Sequence, residues 1–288
     1  MAKRRGKRQA PSRGGFLPVL LAAVLLVAGA VLLNRPKPEP EPPPAPEPET
    51  VLYRGNVLPV LEGVPVNKYD HDAFSAGEGG RVDYPNAKQG IDVSVYQKEI
   101  DWNAVAGDGV EFAILRLGYR GYTEGGLNPD TYFEENLTAA REAGLEVGVY
   151  FFSQAITPAE AEEEAAFVLE RLDGRPLDYP VVFDWEFIGP GKDARTDKVD
   201  KATLTQCVRA FCDRIALGGY APMVYFNQDL AYLFLDLSAL ADIPFWLAEY
   251  DDAPDFYYGF DLWQYTHTGT VAGIEGAVDR SLDLRNAI

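Results

Sequence analysis

The chain has 288 residues, 47% hydrophobic and 12% aromatic, enough for a substantial core in one large domain or two small ones. Eight of its 26 Lys and Arg fall in residues 1–37, which hold no acid, so the remainder sets 18 bases against 44 acids. A body this acidic argues against a nucleic-acid grip, which needs clustered Lys and Arg. In chain order, residues 1–15 are a basic segment and residues 16–33 an unbroken apolar run. As a helix that run is roughly 27 Å long, close to the hydrocarbon thickness of a bilayer. Six basic residues precede it and two follow, a bias that keeps the N-terminus in the cytoplasm and sends the rest across. The alternative is a signal peptide cleaved near Ala30, after the small triplet Ala28-Gly29-Ala30. Both readings place the body of the protein outside the cytoplasm. Residues 34–50 form a Pro/Glu-rich linker with eight Pro between positions 36 and 49, a composition that favours polyproline II and a stalk of about 40 Å. Residues 51–87 carry no assignable pattern, although the apolar stretch from Leu58 to Val64 suits packing against a domain.

From residue 88 onward strands and helices alternate. Strand signals cover residues 90–96, 112–119, 146–152, 180–187, 221–226, 244–249, 260–266 and 276–282. Helices are expected at residues 102–106 behind an Asp101 cap, at 130–143, at 157–172 with Pro158 in its first turn, at 202–217, and as a shorter stretch at 230–234. Buried strands alternating with helices indicate a parallel sheet, and eight of them in about 200 residues suggest closure into a barrel. Too little sequence separates the last three strands for full crossover helices. The expected fold is an irregular α/β TIM-like barrel whose final strands have lost most of their helices. Cys207 and Cys212, five apart on one helix, turn about 140° from each other and read as core thiols rather than a disulfide or metal pair. His71 and His267 stand alone, which argues against a zinc site or a His-based hydrolase.

In such barrels reactive groups project from the C-terminal strand ends. The acids at those places are Asp92, Asp184, Glu186 and Asp279, joined by Tyr96, Gln97, Arg116, Tyr119, Tyr150, Phe152, Tyr225, Trp246, Glu249, Tyr250, Trp263 and Tyr265. Asp184 and Glu186 are spaced i, i+2 in the apolar run Val181-Val182-Phe183-Asp184-Trp185-Glu186-Phe187, so both carboxylates face one side and Trp185 the other. Two acids held that close resist ionising together, which leaves a proton available for a leaving oxygen. Buried acids are costly unless paired or used, so the pairing points to glycoside chemistry.

The motifs Gly90-Ile91-Asp92-Val93-Ser94, Tyr96-Gln97, Ile100-Asp101-Trp102, Gly148-Val149-Tyr150-Phe151-Phe152, Asp184-Trp185-Glu186, Phe245-Trp246-Leu247-Ala248, Trp263-Gln264-Tyr265 and Val278-Asp279 resemble, in order, the family 25 glycoside hydrolases, the Chalaropsis-type lysozymes. The resemblance covers residues 88–288. It implies an irregular barrel of eight strands and about five helices that cleaves the β-1,4 bond between N-acetylmuramic acid and N-acetylglucosamine of peptidoglycan, with retention. Carried over, Glu186 is the general acid/base, and Asp184 is the nucleophile or the group that orients the substrate's acetamido oxygen. Asp92 and Asp279 tune charge and position the sugar, with Asp283 the rival to Asp279. Tyr150, Trp246 and Trp263 supply stacking and shape, and the other aromatics with Arg116 line the binding site. No cofactor, metal or protein partner is implied; the partners are peptidoglycan strands and, through residues 16–33, the membrane. The nearest alternative enzyme is a chitinase-like hydrolase, whose longer Asp-x-x-Asp-x-Asp-x-Glu run is absent because Tyr179 and Val182 occupy its first two acid positions. A non-catalytic wall-binding barrel and a tethered structural protein are the alternatives outside enzymes.

Overall fold

The computed structural model describes residues 49–287, so the expected membrane span at 16–33 and most of the linker lie outside the described residues. Among the described residues no helix is long and apolar enough to cross a membrane. Thr50, assigned above to the linker, instead opens the first strand. The lead-in folds as two small hairpins, β1 (Thr50–Tyr53) with β2 (Asn56–Pro59) and β3 (Ser75–Ala76) with β4 (Val82–Asp83). It packs on the domain through buried Val64 and Val82, a bridge from Val66 to Tyr258, and the Tyr69 hydroxyl, which donates to the Phe260 carbonyl at 2.7 Å.

The barrel runs β5 (Lys88–Val93), α1 (Trp102–Gly107), β6 (Phe112–Arg120), a short β7 (Leu127–Pro129), α2 (Phe133–Glu142), β8 (Glu146–Ser153), α3 (Pro158–Leu172), β9 (Val181–Trp185), α4 (Lys201–Leu217), β10 (Pro222–Asn227), β11 (Phe245–Ala248), β12 (Leu262–Gly269) and β13 (Val278–Asp283). Eight of these strands close a ring in the order β5, β6, β8, β9, β10, β11, β12, β13 and back to β5, while β7 pairs antiparallel with the far end of β6. The helix starts follow their caps: Asp101, Thr157 and Asp200 accept from the backbone N–H three residues on, at 3.1, 3.3 and 2.7 Å. The fifth expected helix is a π-helical turn, Leu230–Phe234.

One strand departs from the parallel expectation. β13 runs antiparallel to both its neighbours, β12 and β5. Antiparallel strands can be joined by a short connection, whereas a parallel pair needs a crossover of a dozen or more residues. The short stretch between β12 and β13 therefore allows only this direction. The reversal also carries the start of β13 to the end of the barrel where the other strands finish.

Side chains alternate across the sheet. Phe112, Ile114, Tyr179, Val182, Met223 and Leu262 point inward and fill the barrel, with the Phe112 and Tyr179 rings stacked 4.4 Å apart. Gly90 makes room for that plug, because a Cβ there would lie 2.1 Å from the Phe112 ring. The opposite faces bury Phe151 against Phe167 of α3, Phe183 against Phe211 of α4 and Phe226 against Phe245 and Phe256, and Cys207 and Cys212 of α4 are both free and buried. Because the lower half is plugged, space remains only at the upper end.

Candidate active site

A cleft of about 270 Å³ opens at that end. Twelve of the sixteen side chains named above at strand ends line it: Asp92, Tyr96, Gln97, Arg116, Tyr150, Phe152, Asp184, Glu186, Tyr225, Trp246, Tyr250 and Asp279. Asp92 stands near the end of β5, and the antiparallel register sets Asp279 directly opposite it. Asp184 sits near the end of β9, paired with Phe152 of β8 and Tyr225 of β10. Glu186 follows one residue past the strand on the same side, and Trp185 between them turns outward to donate its indole N–H to the Ala155 carbonyl at 3.0 Å.

The other four lie elsewhere. Trp263 and Tyr265 point to the outside of the barrel. Trp263 is fully buried against Phe74 of the lead-in, with its indole N–H on the Glu249 carbonyl at 2.8 Å. The Tyr265 hydroxyl donates to Gln89 Oε1 at 3.0 Å. Neither lines the cleft, so a sugar-binding part for Trp263 or Tyr265 is corrected to a structural one. Glu249 also lies outside the cleft, and Tyr119 reaches it only by flanking Arg116. The rival acid Asp283 is at the opposite end of β13, held by the Tyr179 hydroxyl at 2.6 Å and by Arg285.

The residue between the two displaced aromatics is the one the sequence reading passed over. Gln264 is buried on the inner face, where its Nε2 donates to Asp92 Oδ2 at 2.8 Å and its Oε1 accepts from the Tyr225 and Tyr250 hydroxyls, both at 2.9 Å. One amide thus joins an acid to two tyrosines. Trp246 is fixed in the same layer by an N–H bond to Ser281 Oγ at 3.2 Å and by an edge contact with Tyr225. Arg116 is the cation lining the cleft. Its Nε donates to buried Asp130 at 2.8 Å, and its guanidinium lies over the Tyr96 and Tyr119 rings at 5.2 and 5.3 Å.

All four carboxyls are shifted upward. Burial is the largest cause at Asp184, followed by the charges of Glu186 and Asp92, while Arg116 pulls the other way. Asp184 Oδ1 is buried without a hydrogen-bond partner, as suits a group kept for substrate. Burial and then the charge of Asp279 lift Asp92, which Gln264 partly restrains. At Asp279 burial raises the pKa, against a hydrogen bond from Asp92 and the charge of His267. Glu186 is raised by burial and by the charge of Asp279, and the polar Tyr225 hydroxyl nearby pulls it back. Four acids crowded into one desolvated cleft oppose one another's ionisation, which favours retaining protons there. Among the described residues no group of three or more His, Cys, Asp or Glu is placed to hold a metal ion.

Residues 91–274 match the family model for glycosyl hydrolases family 25. The chain belongs to this family. Among its relatives, the autolytic lysozyme of Clostridium acetobutylicum is 29% identical over 66% of this chain and 54% of its own length. Lysozyme M1 of Streptomyces globisporus is 29% identical over 67% of this chain and 66% of its own. Among solved structures, the modular autolysin LytC of Streptococcus pneumoniae, determined with a synthetic peptidoglycan ligand, superimposes with a TM-score of 0.61 and 25% identity, covering 82% of this chain and 52% of LytC. The family 25 chain described here thus spans about half the length of the autolytic lysozyme and of LytC.

Proposed function

We propose that the protein hydrolyses peptidoglycan at the β-1,4 bond between N-acetylmuramic acid and N-acetylglucosamine. The observation that carries this reading is the pair of buried carboxyls Asp184 and Glu186, set on one side of β9 at the mouth of a family 25 barrel and both raised by burial above their ordinary range. Its relatives named as lysozymes and the peptidoglycan-bound LytC structure point to the same substrate. Glu186 gives its proton to the leaving glycosidic oxygen and then, as carboxylate, takes one from water. Asp184 shares its face of the strand and stabilises the oxocarbenium-like centre, as nucleophile or by orienting the substrate's acetamido oxygen. Both routes retain the anomeric configuration, and bases about 6.5–7 Å apart let the carboxyl ends converge to the short spacing of retaining enzymes. Asp92 and Asp279 face each other across β5 and β13 and hold the field around the pair. Tyr96, Arg116, Tyr150, Phe152, Tyr225, Trp246 and Tyr250 form the walls that grip the sugar.

Purified protein should clear peptidoglycan suspensions and release new reducing ends on muramic acid, with Glu186→Gln losing about 10³-fold in kcat. New ends on glucosamine, or equal clearing by Glu186→Gln, would overturn the reading. We further propose that the protein acts outside the cytoplasm, held by residues 16–33 and spaced from the membrane by the Pro-rich linker, or released by cleavage near Ala30. Membrane fractionation and protease shaving of intact cells test that placement.

A further inference from the structure

The acid pair straddles the point where β9 leaves the sheet. Asp184 has ladder partners on both sides, Trp185 pairs with Ser153, and Glu186 lies beyond the last pair. A backbone that has left its ladder needs another hold if its side chain is to keep one position. That hold is Gln154, the residue after β8. Its Nε2 donates to the Glu186 carbonyl at 2.8 Å and to the Ser153 carbonyl at 2.9 Å, and its Oε1 accepts from Thr196 Oγ1 at 3.0 Å. Gln154 and Thr196 are both 0% exposed, and neither lines the cleft. The neighbouring Arg195 secures the Thr196 loop: it donates to the Gln154 carbonyl at 3.2 Å and to Glu160 Oε1 at 2.5 Å, and its backbone N–H to the Tyr122 carbonyl at 3.0 Å.

A side-chain amide with every bond satisfied in a dry interior adds little net stability over an apolar residue of the same shape. What it adds is direction, because it ties one carbonyl to one place. We infer that Gln154, itself braced by Thr196, is a positioning residue that fixes the backbone of Glu186 so that its carboxyl stays turned toward Asp184 inside the cleft. The inference rests on the reading of Glu186 as the general acid. Loss of the tie lets Glu186 swing toward water and away from the groups that face it, Asp184 on β9, Asp92 on β5, Tyr225 on β10 and Asp279 on β13.

Two near-isosteric variants test it in the full chain, Gln154→Met, which removes all three side-chain bonds, and Thr196→Val, which removes only the brace. Gln154→Met should lower kcat on peptidoglycan by about 10- to 100-fold while KM stays within about twofold, the scale set by a misplacement near 1 Å. The alkaline limb of its pH–kcat profile should move to lower pH, because a more solvated Glu186 loses its proton sooner. Thr196→Val should change both in the same direction by a smaller factor, and it decides the matter if Gln154→Met does not fold. A lowered Tm in both variants with the parental kcat and pH profile would overturn the inference and leave a structural bond. Parent and Glu186→Gln assayed alongside keep the two readings apart: inactivity of the parent, or full activity of Glu186→Gln, defeats the assignment of the site rather than that of Gln154.

Discussion

Asp279 and Asp283 are the same residue type on the same strand, four positions apart and turned to the same side, yet they have opposite characters. At the mouth, burial holds Asp279 above the ordinary carboxylate range, against the restraint of Asp92 and His267. At the floor, burial also pushes Asp283 upward, but Arg285, the Tyr179 hydroxyl and a backbone N–H outweigh it and leave the carboxyl below its ordinary value. Arg285 donates from Nε at 2.9 Å and from Nη2 at 2.6 Å, and its guanidinium lies 4.4 Å over the Tyr179 ring. Desolvation is common to both ends. The difference is the company: a guanidinium, a hydroxyl and a backbone N–H overcome burial at Asp283, whereas Asp92 and His267 only restrain it at Asp279. A strained titration marks the chemistry, and a satisfied one marks the scaffold.

Exchanging each acid for its amide should separate the two ends most sharply. Asp279→Asn is expected to lower kcat by about 10²-fold with no fall in Tm, because it removes one of four crowded charges. Asp283→Asn should keep kcat within about threefold yet destabilise the fold by about 2–3 kcal/mol, since Arg285 loses its carboxylate. Reducing-end assays and urea midpoints on both proteins decide it; a stable, inactive Asp283→Asn would break the comparison. The two tryptophans repeat the contrast between cleft and scaffold. Trp263→Ala should cost about 3–5 kcal/mol with unchanged KM in the folded fraction, as removal of a large buried ring does. Trp246→Ala should raise KM as well, and a matching KM for both variants would sink that distinction.

The smallest effects lie in the pH dependence of stability. Asp283 has a depressed folded pKa, so its stabilisation is present at neutral pH and is lost as pH falls through that value, below the ordinary Asp pKa of about 4. Asp184 is raised, so the opposite sign applies: stability is full below its unfolded pKa and declines as pH climbs through the folded one. Asp184→Asn should therefore be inactive but melt a few degrees higher near neutral pH, with the gain fading toward pH 4. A Tm equal to the parent's across that range would show that the buried carboxyl is not under strain.

Most of the barrel was legible in the sequence because strand periodicity and caps are local. The eight strand positions agree with the structure within a few residues, and Asp101 and Thr157 start their helices as expected. The direction of β13 was not legible, since a buried strand reads alike both ways and only the short connection before it argues for reversal. The choice between Gln264 and its neighbours failed for a related reason. Alternation says that Gln264 faces one way and Trp263 with Tyr265 the other, but not which way is inward. Three-dimensional pairing settles that, setting Gln264 beside Ala248 and Ser281. The lead-in was opaque because its few apolar residues, Val64 and Val82 among them, show no period and find their partners only on the finished barrel.

The facing of Asp279 and Asp92 across an antiparallel pair makes chain length a catalytic variable. Residues 270–277 join β12 to β13, tied to the barrel at buried Val271 and at Gly273, whose carbonyl accepts from the Asp101 N–H at 2.9 Å; insertions should be tolerated in the exposed residues 275–277. Within β13 they should not be. A single residue added after Ser281 would shift the upper part of the strand by one, turning Asp279 outward and swinging the Arg280 guanidinium into a mouth built for acids, while the floor ion pair at Asp283 pins the other end.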